Sequence, residues 1–243
     1  MRRILIGTGY FATKENWTKK RHFLSLWRRF NLWPIREMAD LKIAVVDNSQ
    51  SGALSTRPMW EEYGIQSISV DTNLGHVHDF LNHDTPQWGG WSMSWMITAM
   101  IAYSEQRDFI YIEQDCLCFG DWFGTLMRDR RYNSHSPTGE FDEGHEFDAL
   151  IGTHDTMPCE QSLFWVRCGY IPEFLRLYLE FQGDGMMLPE AKFRMMLRHH
   201  RQHIWFHSLG VGRQRPWPET GPFYVQQLTD PELRQVLEQH ESD

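Results

Sequence analysis

The chain has 243 residues, enough for one large α/β domain or two small ones, and its apolar content is ample for a core. Its 24 basic and 32 acidic residues leave a formal charge of −8, which argues against a nucleic-acid backbone as main partner. No stretch approaches the roughly 20 apolar residues that cross a bilayer, and Met1 to Gly7 is too short for a signal peptide. Four cysteines (Cys116, Cys118, Cys159, Cys168) without CxxC spacing point to a reducing, cytoplasmic setting. Eleven Trp and fifteen Phe suit either a Trp-rich core or the aromatic lining of a sugar-binding cleft.

Arg3 to Gly7 reads as a first strand running into Thr8-Gly9-Tyr10-Phe11-Ala12. As G-x-G-x-x-A this would be a dinucleotide fingerprint, but the helix starts late, at an N-cap on Asn16. An acid at the next strand end also falls beyond the expected ~20 residues. The segment is therefore expected to be a glycine-bearing loop that holds a nucleotide.

From Asn16 to about Met38 the pattern is helical, with Phe23, Leu26, Trp27 and Phe30 on one face and Pro34 as a kink or stop. Lys42 to Asp47 is a second strand, Met59 to Tyr63 a short helix, and Ile65 to Val70 a third strand ending at Asp71. The polar stretch from Thr72 to Gly90, with His76, His78 and His83, is expected to lie over the strand ends. Trp91 to Gln106 is apolar almost all round, hence a buried helix.

Asp108-Phe-Ile-Tyr-Ile-Glu113-Gln-Asp115 is the most informative stretch. Phe109 to Ile112 is a fully buried strand that ends in two carboxylates. Unpaired acids away from water cost several kcal/mol, so a purpose is expected for them. Residues i and i+2 of an extended backbone share a face, which would aim Glu113 and Asp115 into one crevice. Hard oxygen ligands there suit Mg²⁺ or Mn²⁺; the bland alternative is a capped turn or pairing with arginines. Cys116 and Cys118 read as buried thiols.

Further on, Trp122 to Met127 is a short helix and Arg128 to Glu146 a loop. Ala149 to Gly152 and Ser162 to Val166 are strands, and Ile171 to Phe181 is a helix. Pro189-Glu190 opens a helix through His200, with proline near N1 and an acid in the first turn. His203 to His207 is a strand, followed by Arg213 and Arg215, then a β-like Phe223 to Gln226 and a helix from Pro231 to His240. His199, His203 and His207 have helical ligand spacing, but Ile204-Trp-Phe breaks that helix and disfavours a zinc stripe.

Alternating strands and helices over the first 120 residues predict a mostly parallel sheet with ligands at its carboxyl ends. This layout resembles the GT-A fold of nucleotide-sugar glycosyltransferases. Val45-Val-Asp47-Asn48-Ser49 is similar to the family's second-strand segment, whose acid contacts the base. Ile112-Glu113-Gln114-Asp115 resembles the D-x-D metal motif with Glu in the first place, and Ile204-Trp-Phe-His207 resembles the late strand whose His completes the metal site. The resemblance spans roughly Arg3 to Trp217.

The resemblance implies a single α/β, GT-A-like (Rossmann-related) domain over 1–243, its mostly parallel central sheet flanked by helices. Residues 1–120 would form the donor half, and 121–243 the acceptor half and C-terminal segment. It implies Mn²⁺ or Mg²⁺ on Asp115, Glu113 and His207, and a nucleoside-diphosphate sugar held by Thr8, Gly9, Tyr10, Asp47, Glu113, Arg213 and Arg215. Glu190, or failing that Glu160, would deprotonate the acceptor hydroxyl of a glycan, with inversion favoured; Asp155 and Asp184 are lesser candidates. The expected product is a hexosyl or deoxyhexosyl conjugate. Rival readings are a silent nucleotide- or sugar-binding module and an NAD-dependent oxidoreductase. A nucleotidyltransferase is disfavoured because Thr8-Gly9-Tyr10-Phe11 lacks that family's Arg-bearing glycine loop. The oligomeric state is not legible.

Overall fold

The first hundred residues alternate β-branched or apolar runs with amphipathic segments, and the structure turns that alternation into a sheet with helices on its faces. The computed structural model describes residues 1–49, 57–70, 89–128, 149–153, 162–181, 189–199, 204–208, 215–217 and 221–240. The expected loops at 72–90 and 128–146 lie almost wholly outside these, as do Asp155, Glu160, Asp184 and Arg213.

The strands are β1 (Arg2–Tyr10), β2 (Ala39–Asp47), β3 (Gln66–Ser69), β4 (Asp108–Ile112), β5 (Cys116–Phe119), β6 (Ala149–Thr153), β7 (Leu163–Val166), β8 (Ile204–Ser208) and β9 (Phe223–Gln226). The helices are α1 (Trp17–Arg36), α2 (Arg57–Glu62), α3 (Gly90–Ser104), α4 (Trp122–Arg128), α5 (Ile171–Glu180), α6 (Pro189–His199) and α7 (Asp230–His240). Seven strands form one sheet in the order β3-β2-β1-β4-β7-β6-β8, in which β7 alone runs against its neighbours. The mostly parallel sheet expected from the sequence is present. One apolar layer carries Leu24, Trp27 and Ile35 of α1; the other packs Trp95, Phe164, Phe174 and Phe193 edge to face.

One expectation needs correcting. The strand β1 continues through Thr8, Gly9 and Tyr10, pairing with Val45, Val46 and Asp47, so this segment is strand and not loop. Its glycines serve packing: a Cβ on Gly7 would stand 2.2 Å from Thr98 Oγ1, and one on Gly9 2.5 Å from Ser94 Oγ. Ser94 and Thr98 are one turn apart on α3, so the helix lies directly on the strand.

Pro34 lies in the last turn of α1, which ends at Arg36. Cys116–Phe119, where the sequence suggests only two buried thiols, is a further strand. It pairs antiparallel with β9 in a separate two-stranded ribbon, and both strands are fully buried.

Candidate active site: an acid turn at the end of the fourth strand

Glu113 to Asp115 join β4 to β5 in a tight turn, closed by the Cys116 N–H donating to the Glu113 carbonyl at 3.1 Å. The two acids are therefore brought together by a turn, not by alternation along an extended strand. Both are partly exposed, as side chains that meet a ligand need to be.

Helix α1 fixes the turn from one side. The Trp27 indole N–H donates to the Glu113 carbonyl at 2.9 Å. One turn on, Asn31 Nδ2 donates to the Cys116 carbonyl at 2.8 Å, while Asn31 Oδ1 accepts the Cys118 N–H at 2.7 Å. Asn31 is fully buried, so its amide replaces ladder bonds that β5 lacks on that edge.

From the other side comes Gln226 of β9. Its amide nitrogen donates to Glu113 Oε2 and, at 3.4 Å, to Asp115 Oδ1. The amide is oriented by Ser162, whose hydroxyl donates to Gln226 Oε1 at 2.6 Å. Ser162 also accepts the Glu113 N–H through its carbonyl at 2.9 Å. The two carboxylates thus converge on one point, held by a donor, and the sequence offered no sign that Gln226 would supply it.

The neighbouring strand ends are tied to the same turn. Gln114 Oε1 accepts the Phe11 N–H at 3.1 Å, and the Asn48 N–H donates to the Tyr10 carbonyl at 2.8 Å. The Ala12 N–H donates to Ser49 Oγ at 3.0 Å. Asp47 is buried and fully used inside the protein: Oδ1 accepts the Ser49 N–H at 2.9 Å and Oδ2 the Trp60 indole at 2.8 Å. Tyr10 stacks edge-on against Trp60 in the core, where burial and then the Asp47 charge push its phenol far above the ordinary range. Thr8 is likewise buried, its hydroxyl on the Gly9 carbonyl.

No protein-family model and no curated protein sequence matches the chain. Among solved structures it is similar to residues 1–349 of TarS from S. aureus in complex with UDP, at TM-score 0.51 and 9% identity, over 98% of this chain and 64% of that one. The fold is GT-A-like. It spans just under two thirds of that TarS structure and 38% of a longer one. Mouse xyloside xylosyltransferase 1 is similar at TM-score 0.41 and 11% identity, over 86% of this chain and 85% of that one. A cytidylyltransferase from Leptospira borgpetersenii is similar at TM-score 0.42 and 9% identity, over 85% and 75%.

Of the remaining expected residues, Arg215, His207 and Glu190 are described. Arg215 donates to Glu232 of α7 at 2.7 Å and approaches the Gln226 carbonyl at 3.4 Å, so it braces the C-terminal segment. His207 lies on β8, three strands along from β4, which is about 14 Å across a sheet. Glu190 sits in the first turn of α6, a helix anchored by Phe193 against Trp91 at the start of α3. Among the described residues no group of three or more His, Cys, Asp or Glu side chains is arranged to hold a metal. No described helix is long and apolar enough to cross a membrane.

Proposed function

We propose that this chain transfers a hexosyl or deoxyhexosyl unit from a nucleoside-diphosphate sugar to an acceptor hydroxyl, with a divalent cation at the acid turn. The observation that carries the reading is the convergence of Glu113 and Asp115 on a single point at the carboxyl end of β4. In open parallel sheets that edge is where ligands bind. The GT-A-like fold is the same one that holds UDP in the TarS complex.

The donor set fits a hard cation: two carboxylates converge, both partly exposed, on a turn pinned by Trp27 and Ser162. Asp115 and Glu113 would hold it, with Gln226 turned aside. Bound there, Mn²⁺ or Mg²⁺ supplies Lewis-acid neutralisation of the leaving diphosphate. The chain's own residues do the rest. The main chain from Tyr10 to Ala12, tied to Asn48, Ser49 and Gln114, borders the nucleotide. Glu190, or Glu160 in its place, takes the proton from the acceptor hydroxyl, and single displacement inverts the sugar's anomeric centre.

One observation favours a second reading, a nucleotide-binding module without turnover. The Gln226 amide already satisfies both acids, as a retired metal site would require. Calorimetry with UDP, GDP and dTDP, with and without Mn²⁺, separates the two when joined to a donor-hydrolysis assay. The proposal expects Mn²⁺-dependent hydrolysis of one donor, abolished in Asp115→Ala with the circular dichroism unchanged. Metal-independent binding with no hydrolysis selects the silent module. Full activity in Asp115→Ala removes the acid turn from the mechanism.

A further inference from the structure

The diphosphate needs positive charge, and of the two arginines expected to provide it only Arg215 is described. Arg213 lies outside the described residues, and Arg215 is engaged by Glu232 and the Gln226 carbonyl. Two carboxylates and a divalent cation cancel one another, which leaves the diphosphate's own charge to be met by the protein.

Helix α1 carries one stripe at spacings of four, three and four: Lys20, Leu24, Trp27 and Asn31. Trp27 and Asn31 bind the acid turn and β5, so this stripe faces the site. The helix begins beyond the carboxyl end of β1, and Lys20 lies seven residues, about 10 Å, nearer that start than Trp27. Lys20 thus extends the site-facing stripe towards the start of the helix. Its neighbour Lys19 points elsewhere, pairing with Asp230 at 2.6 Å on the surface.

Lys20 is half-buried, yet its ammonium makes no hydrogen bond or ion pair among the described residues. Burial draws it below the ordinary lysine range, and the nearby charge of Asp115 pulls it partly back. A desolvated ammonium without a hydrogen-bonding partner is costly unless an anion completes its surroundings. Lysine is a common phosphate binder, acting as a point charge on a flexible stem.

We propose that Lys20 binds the diphosphate of the nucleotide donor, from the side of the acid turn that faces helix α1. This rests on the donor-site reading given above. The site takes a diphosphate, free or carried on a nucleoside.

The test is calorimetric titration of the full chain and of Lys20→Gln and Lys20→Arg with UDP, GDP and dTDP in Mn²⁺. Displacement of the bound diphosphate by inorganic pyrophosphate is followed in parallel, with a thermal midpoint for each protein. Lys20→Gln should weaken the diphosphate that binds by about ten-fold or more, and pyrophosphate with it, while Lys20→Arg stays within about three-fold of the parent. If the parent binds a diphosphate and Lys20→Gln binds it equally, Lys20 has no such role and the donor reading stands. If both variants lose affinity together with their thermal midpoint, the lysine is structural and the inference fails. If the parent binds none of the three, the donor reading falls and takes this inference with it.

Discussion

The Trp27 indole donates to the main-chain oxygen of Glu113, and this one bond ties the first helix to the turn that carries the acids. Trp27 is fully buried, so the bond sits in low dielectric and the indole is held by core packing on its other faces. The position of the carboxylates is thus set from α1, not from the sheet alone. Replacing Asn31, one turn along, should loosen the same junction. Asn31→Ala removes two buried amide–main-chain bonds and should cost about 2–6 kcal/mol, each orphaned group contributing roughly 1–3. Urea unfolding would show this as a lower midpoint with an unchanged slope.

Gln226 poses a competition that can be measured. Its amide nitrogen stands where Glu113 and Asp115 converge, so a cation at the acid turn must displace it. Gln226→Ala should therefore raise Mn²⁺ affinity several-fold, at a stability cost of about 1 kcal/mol from the lost hydrogen bonds. Titration of Mn²⁺ followed by electron paramagnetic resonance gives the affinity directly. Weaker Mn²⁺ binding in this variant would instead make the glutamine a ligand, its carbonyl turned to the cation.

The contact between β1 and α3 predicts a pairwise effect. A Cβ at position 9 would meet Ser94 Oγ at 2.5 Å and Ser94 Cβ at 2.9 Å, whereas the next neighbour, the Tyr111 hydroxyl, is at 3.6 Å. Gly9→Ala alone should destabilise by about 1–3 kcal/mol through overpacking. Ser94→Gly removes the obstruction, though glycine in a helix itself costs about 1 kcal/mol. The double variant should be more stable than the sum of the two singles, by 0.5 kcal/mol or more as is usual for residues in contact. Additive effects would mean that the strand shifts away from α3 instead.

These cases also show which parts of the molecule can be read from its residues. Phe109 to Ile112 announces itself because a buried apolar run ends in two acids, and the parallel order of β1, β2 and β4 follows from the helices between them. Gly7 to Gly9 misleads because two glycines in three residues look like a turn; their reason, Ser94 and Thr98, lies on a helix much further along the chain. The strand β5 is hidden for a related reason. All four of its residues are buried, giving no alternation, and its partner β9 stands near the far end of the chain. Asn31 looks like an ordinary polar position on an amphipathic helix. Only the bare edge of β5 explains why an amide is buried there.

Asp47 separates a structural from a ligand-binding role. Its carboxylate accepts from Ser49 and Trp60, both main-chain or indole N–H donors. Asp47→Asn would turn one amide nitrogen toward a donor and leave that donor unsatisfied, costing about 1–3 kcal/mol. Trp60→Phe should reproduce part of that loss by orphaning Oδ2 alone. If Asp47 only closes the strand end, nucleotide affinity should be unchanged in Trp60→Phe while the thermal midpoint falls. A matching loss of affinity would return Asp47 to the base-binding role that the sequence suggested.

Acid stability offers a last measurement, at the brace between the C-terminal helix and the Arg215 turn. The Arg215 guanidinium, with the Thr229 main-chain N–H and hydroxyl, holds the Glu232 carboxyl down at about 2, from an ordinary 4.5. A carboxyl lowered in the folded state binds fewer protons there than in the unfolded chain, so unfolding takes up a proton. The stabilisation is complete above about pH 4.5 and fades as the pH falls towards 2. Because Glu232 is close to the surface, salt should weaken the effect. Glu232→Gln should lower the thermal midpoint at pH 7, and its deficit relative to the parent should shrink steadily between pH 4.5 and pH 2. A deficit that stays constant across that window would mean that Glu232 acts through its neutral hydrogen bonds to Thr229, with no contribution from the charge on Arg215.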